Sequence, residues 1–319
     1  MSPIVKLLAQ RIALGLLLLF LVSILIFAGT IVLPGDVAQS ILGQSATPEA
    51  LANLRAELGL DEPPVARYFN WLFGVFQGDL GTALTSGQDI ATAIGKRLGN
   101  TLFLAFWAAI IAVPLAIFLG LLAVRYRERW PDKLISAVTL ASISVPEFLI
   151  GYILMFFIGV KLGWFPPTAI SYRPDADLLT KLSAVALPIA VLTLVVLAHM
   201  MRMTRAAILN VMQSAYIETA ELKGLRMFTI IWRHAFPNSV APVVNVVMLN
   251  LAYLVVGVVV VEVVFVYPGM GGYLVDHVSK RDIPVVQACG LIFAAVYIGL
   301  NLIADVVSIL ANPRLRHPK

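Results

Sequence analysis

Tyr216-Ile-Glu-Thr-Ala-Glu-Leu-Lys-Gly224, followed by Arg233-His-Ala-Phe-Pro237, is a polar, helix-forming island between two apolar spans. Such an island gives a membrane chain a surface for a soluble partner. Its spacing is regular: Glu218, Thr219 and Ala220 are consecutive, Gly224 follows four residues after Ala220, and Pro237 follows thirteen after Gly224. The fold depends on whether the flanking segments cross a bilayer.

They have the composition to do so. The chain of 319 residues is 60% hydrophobic and 13% charged, with a mean hydropathy of +0.91, whereas a soluble domain carries about 25% charged residues. A hydrocarbon core of about 30 Å needs about 20 apolar helical residues. Six stretches qualify: Ile12 to Leu33, Thr101 to Val124, Leu134 to Val160, Ala184 to His199, Val240 to Val261 and Pro284 to Ala311. The fourth is short, and Pro188 within it is expected to bend it. The first is too long for the apolar region of a signal peptide and has no A-x-A pattern after it, so it is expected to be retained. The fold class expected is all-α, a polytopic membrane protein with six transmembrane helices. The single cysteine, Cys289, lies in the sixth span and reads as a small core residue.

Basic residues orient the spans. Arg125, Arg127, Arg129 and Lys133 follow the second span closely, and Arg202, Arg205, Lys223, Arg226 and Arg233 crowd between the fourth and fifth. On the other side, Arg55, Arg67, Lys96 and Arg97 are diluted by a long connection. The positive-inside rule puts both termini and the polar island in the cytoplasm. Anionic membrane lipids account for a net charge of +5 without any nucleic acid.

The expected domains are an N-terminal helix over residues 1–33, an extracytoplasmic subdomain over 34–100, and a five-helix core over 101–319 carrying a cytoplasmic segment at 202–237. In the subdomain, Thr47-Pro48-Glu49 reads as a helix start, Leu51, Leu54 and Leu58 as an apolar stripe, and Gly59 as its end. A second stripe runs through Val65, Phe69, Leu72, Phe73 and Phe76, with Tyr68 and Trp71 as interfacial anchors. This layer either caps the bundle or docks an external partner.

The island resembles the E-A-A-x3-G-x9-I-x-L-P coupling motif of ATP-binding-cassette (ABC) importer permeases, with Glu218, Ala220, Gly224 and Pro237 on pattern and Thr219, His234 and Phe236 departing from it. Pro34-Gly35-Asp36, Gly78-Asp79-Leu80-Gly81-Thr82, Ser144-Val-Pro146-Glu-Phe148, Leu162-Gly163-Trp164, Glu262-Val-Val-Phe265-Val-Tyr-Pro268-Gly269-Met-Gly271 and Asn312-Pro313-Arg-Leu-Arg316 extend the likeness over nearly the whole chain. Together they resemble the binding-protein-dependent peptide/nickel family, in particular the dipeptide/oligopeptide B-type subunit. Asn312 stands where that family more often has Asp.

The resemblance implies the type I ABC importer permease fold in the bacterial inner membrane. It implies a translocation path for peptides or a related small solute, shared with a second homologous permease. It also implies two ATPase subunits carrying ATP and Mg, and an extracytoplasmic solute-binding protein. Glu218, Thr219, Ala220, Gly224 and Pro237 would couple the path to the ATPases. The chain has no G-x4-G-K-[ST] phosphate loop, so no cofactor is expected on it.

Other polar residues in the spans are open to two readings. Glu147, after Pro146, either lines a substrate cavity or pairs with a neighbouring helix; Asn245 and Asn250 either line the path or hold helices together. Glu262 is expected to hold the Pro268-Gly269-Met-Gly271 turn as a gate-like loop, and Asp305 to be an interfacial or inter-subunit partner. Gly224 is expected at φ > 0. His199, His234, His277 and His317 lack metalloprotease spacing, and Met200, Met201 and Met203 read as packing, so neither catalytic nor metal-binding residues are expected. A passive channel is the alternative, but it leaves the island without a purpose.

Overall fold

The computed structural model describes residues 3–32, 37–43, 46–57, 59 and 61–311. The Pro34-Gly35-Asp36 and Asn312-Pro313-Arg-Leu-Arg316 motifs, Leu58 and His317 lie outside them. The described residues form helices and turns, with one isolated β-bridge, Thr82 to Asp89. In chain order the helices are α1 (Pro3–Val32), α2 (Val37–Leu42), α3 (Pro48–Glu57), α4 (Pro64–Gln77), α5 (Ile90–Arg125), α6 (Trp130–Ser144), α7 (Glu147–Leu154) and α8 (Leu178–Ala184). They continue with α9 (Ala186–Met212), α10 (Ala215–Leu222), α11 (Met227–Ile230), α12 (Phe236–Val264), α13 (Met270–Ser279) and α14 (Ile283–Ala311).

Five helices are long and apolar enough to cross a membrane, and a sixth crossing is obtained when α6 is counted as one with α7 and the π-helix Met155–Lys161 that continues it. The expected span Leu134 to Val160 corresponds to this bent pair. It breaks at Val145-Pro146 and turns by 103°. Val145 is extended, at φ −94° and ψ 129°, as steric conflict with the following proline requires, and Pro146 then starts α7 without an N–H to lose. The pair still runs the length of α9: Asp132 is bonded to Arg205 towards one end of that helix, and Gly159 lies against Leu187 at its start.

In the fourth span the helix is interrupted at Val185, three residues before Pro188. Pro188 itself sits in the first turn of α9, where a missing N–H leaves no intrahelical bond unmade, and the helix runs on to Met212. Pro237 does not break a helix before the fifth span. The chain is helical from Met227 to Val264, widening into a π-turn at Ile231–Ala235 just before the proline. The Asn238 amide donates to the His234 carbonyl at 2.6 Å, which supplies a partner within this irregular stretch.

The core is built on α5, α9 and α12. Leu104, Ala108 and Ala112 of α5, Val191, Leu192 and Met200 of α9, and Leu254 and Val258 of α12 are buried together. Small residues permit the close approach: a Cβ on Gly120 would meet Thr204 of α9 at 3.0 Å. Met200 and Met201 are packing residues as expected, whereas Met203 is exposed; Cys289 is buried. α14 packs on α12, and α1 lies outermost against α14, joined at one end by Gln287 donating to Thr30 (2.7 Å) and at the other by Arg11 and Asp305 (3.2 Å). Asp305 is thus paired with α1 of its own chain.

The segment between α1 and α5 is ordered from inside. Thr47 caps α3 through the Ala50 N–H (3.2 Å), and Gly59 follows at φ +61°. Leu51 and Leu54 are half-buried. In α4 the two aromatic residues expected as interfacial anchors face α1. Tyr68 is buried, bonding Ser23 of α1 at 2.8 Å and meeting Phe27 edge to face, with Trp71 beside it. Val65, Phe69, Phe73 and Phe76 are the exposed face. The Tyr68 hydroxyl reaches a buried hydroxyl on α1 that the aliphatic and Phe side chains could not bond.

Candidate functional site: a projecting helix and a locked turn

The polar island folds as α10, and two of its residues anchor it. Ile217 and Ala220 are buried against Leu121 and Val124 of α5, Ile208 of α9 and Ile230. Glu218, Thr219 and Glu221 face outward, as do the apolar Tyr216 (45% exposed) and Leu222 (83% exposed). Ala220 is small because it enters that packed cluster. Thr219 turns its hydroxyl back onto the Ala215 carbonyl (2.9 Å), a bond that a second alanine would lack.

The C-terminus of α10 is a Schellman motif. Gly224 donates to Glu221 at 2.8 Å and Leu225 to Ala220 at 3.3 Å, with Gly224 at φ +76°. Nothing lies within 4 Å of where its Cβ would be. Glycine is therefore set by backbone geometry and not by lack of room, in keeping with the left-handed conformation expected. Pro237, the other end of the pattern, is exposed, in the first turn of α12 after the π-turn.

At the opposite end of the bundle, Glu262 organises the turn between α12 and α13. Its side chain is buried, accepting from the Thr101 hydroxyl (2.6 Å) and from the N–H groups of Gly271 (2.7 Å) and Gly272 (3.1 Å). The carboxylate so caps α13 and ties it to α5. Thr101 in turn accepts from the Met270 N–H at 2.8 Å, while Asn100 donates to the Pro268 carbonyl (2.9 Å) and receives the Tyr267 hydroxyl on its own carbonyl (2.9 Å).

The glycines of this turn are required by space. A Cβ on Gly269 would overlap the Glu262 carboxylate, and one on Gly271 would come within 2.7 Å of the Val259 Cα. Val266, just before the turn, is held at φ +54°, the position where such a helix end takes glycine. Glu262 thus holds this turn through the hydrogen bonds of its own carboxylate.

The three path candidates do not converge. Glu147 is half-buried and hydrogen-bonds Tyr253 of α12, which is 49% exposed, so it has the neighbouring-helix partner that was one of its two readings. Asn250 is buried but donates to Val246 of its own helix (2.8 Å). Asn245 is exposed in a groove with Arg11, Tyr297, Asn301 and Asp305, on the α1 side. The chain alone thus gathers neither asparagine with Glu147. Tyr253, Thr101 and Asn100 escaped the sequence reading because single polar residues within apolar runs carry no spacing signal.

The matching families agree with this architecture. Residues 112–317 match the binding-protein-dependent transport system inner membrane component, and residues 4–105 match the N-terminal part of binding-protein-dependent transport system membrane components. A protein of Brucella abortus (strain 2308), named as a peptide transport system permease, is 36% identical over 312 residues, covering 98% of this chain and 99% of its own. The glutathione transport system permease protein GsiC of Escherichia coli (strain K12) is 36% identical over 299 residues, covering 94% and 95%.

An inward-facing structure of the MetNI methionine ABC transporter aligns with a TM-score of 0.53 at 16% identity, over 69% of this chain and 96% of that one, which shows a shared fold. The chain belongs to the family of binding-protein-dependent transport system inner membrane components and is a multi-pass permease subunit of an ABC importer.

Proposed function

We propose that this permease forms half of the translocation path of a peptide importer, paired with a second homologous permease. Two ATPase subunits would bind at the α10 end, and an extracytoplasmic solute-binding protein at the α13 end. Both termini and α10 then lie in the cytoplasm, as the crowding of basic residues at that end suggests. The helices between α1 and α5 form the extracytoplasmic layer, and ATP and Mg stay on the ATPases. A peptide substrate is supported by the names of relatives such as the Brucella permease; the glutathione permease is a relative with a small peptide-like solute in its name.

The observation that carries the coupling role is the construction of α10. Ile217 and Ala220 root it on the ends of α5 and α9, while Tyr216 and Leu222 remain exposed. A push on the exposed face is therefore transmitted to two core helices. Glu218 and Thr219 add polar contacts on that face, and Gly224 sets the angle at which the chain leaves it.

The test is Gly224→Val in the reconstituted complex. A β-branched residue at φ +76° costs at least about 1–2 kcal/mol in backbone strain. Ligand-stimulated ATP hydrolysis and peptide uptake should therefore fall while the amount of inserted permease stays at wild-type level. Glu218→Ala should act more mildly, because the helix keeps its apolar contacts. Normal coupled transport by Gly224→Val would remove α10 as the coupling element.

A further inference from the structure

Beside α10 lies a cleft of about 970 Å³ that the coupling role does not use. Its rim carries Arg125, Arg127, Arg129 and Arg226, and Glu221 is the acidic residue among its lining. Four positive charges against one negative leave the cleft at +3. Asp132 is already taken: Arg205 grips it at 2.9 and 2.8 Å and the Glu128 N–H donates to it at 3.0 Å. Arg127 is partly engaged by Glu128 at 3.3 Å. Among the described residues no carboxylate pairs with Arg125, Arg129 or Arg226.

Behind the arginines the cleft is apolar, lined by Val124, Leu209, Met212 and Met227. Aromatic residues line it or neighbour its lining in sequence or contact. Arg125 lies over the Tyr126 and Phe228 rings, both at 5.3 Å, and Trp130 and Trp232 are exposed at 74% and 46%. Such rings gather at headgroup depth, and a cationic rim above an apolar wall matches a molecule with a phosphate at one end and a hydrocarbon chain at the other. Neither a free anion nor an acidic protein surface would use both parts.

We infer that this cleft is a binding site for an anionic phospholipid, its phosphate held by Arg125, Arg129 and Arg226 and its first acyl carbons lying along Met212 and Met227. The site lies where the connection out of α5 meets the return from α10, so an occupied cleft braces the root of the projecting helix.

The experiment uses the full-length permease in mild detergent. Retention of phosphatidylglycerol and phosphatidylcholine is compared by native mass spectrometry for the wild type, Arg129→Gln/Arg226→Gln and Arg129→Lys/Arg226→Lys. Each juxtamembrane charge is worth about a five-fold change in affinity, so the glutamine pair should lose roughly 25-fold in phosphatidylglycerol retention. The wild type should prefer phosphatidylglycerol over phosphatidylcholine at least ten-fold, and the lysine pair should keep most of that preference.

Equal retention of the two lipids by the wild type, or an unchanged preference in the glutamine pair, would overturn the site. Displacement of the lipid by millimolar inorganic phosphate would mark a free-anion site and also overturn it. A glutamine pair that keeps its lipid preference yet no longer copurifies with the ATPases would reassign the cleft to the protein partner. Should the glutamine pair fail to fold, the wild-type and lysine-pair ratios still decide the question.

Discussion

Replacing Gly269 by alanine tests whether the turn after α12 is held by the Glu262 carboxylate. The backbone at Gly269 is extended, at φ −95° and ψ −178°, a conformation open to any residue, so the nearest obstacle to alanine is the carboxylate its Cβ would overlap. The turn cannot retreat easily, because Gly271 is already pressed on the Val259 backbone.

The carboxylate must therefore move away from Thr101, Gly271 and Gly272, its three donors. Hydrogen bonds to a charged group contribute about 1.5–3 kcal/mol each. Losing one or two places the cost of Gly269→Ala at about 2–5 kcal/mol, read as a fall of roughly 5–10 °C in the unfolding midpoint of the purified permease.

Glu262→Ala is costly too, since it leaves the same three donors without a partner in a buried site. In that background, however, the added methyl meets no carboxylate. Gly269→Ala should then cost less than about 1 kcal/mol, and the two changes should be strongly non-additive. A midpoint within about 1 °C of wild type for the single variant, or additive losses in the double variant, would refute the steric argument.

Val266→Gly should stabilise the protein by about 1 kcal/mol in the same unfolding assay, because it relieves a β-branched residue at φ +54° that is 55% exposed and packs little; a destabilised variant would show that the conformation is not strained. Asp132→Ala should cost about 1–3 kcal/mol by freeing Arg205, which is partly exposed and can reach water, and Asp132→Glu should recover part of that loss in the denaturation midpoint. The exposed Arg11–Asp305 pair should contribute less than about 1 kcal/mol, so Asp305→Asn should leave thermal unfolding nearly unchanged. A reporter fused after Arg129 or within Leu222 to Arg233 should be found in the cytoplasm and one at Gly59 or Tyr172 outside; the reverse result at Leu222 would undo the orientation and the coupling role together.

The membrane class, the positions of the crossings and the projecting helix were all legible from the chain, because each rests on local or one-dimensional physics. Apolar length decides what can cross a bilayer, the distribution of arginines supports one orientation, and a glycine four residues past Ala220 marks a helix end whose left-handed geometry the fold then adopts. Glu262 was readable in the same manner, as a charge at the edge of an apolar span beside a glycine-rich turn.

The tertiary structure decided everything that depends on what faces a residue. Pro188 and Pro237 look alike as helix breakers, yet one lies in a first turn and the other follows a π-turn, and neither interrupts its helix; Pro146 stands at the break in its span. Asn245 and Asn250 share a helix, but the one faces a groove beside α1 and the other bonds its own backbone. On α4 the stripe shows which residues lie together and not which neighbour the helix meets. A buried hydroxyl at Ser23, 45 positions away, turns Tyr68 inward, and only the packing of α4 on α1 brings the two within 2.8 Å.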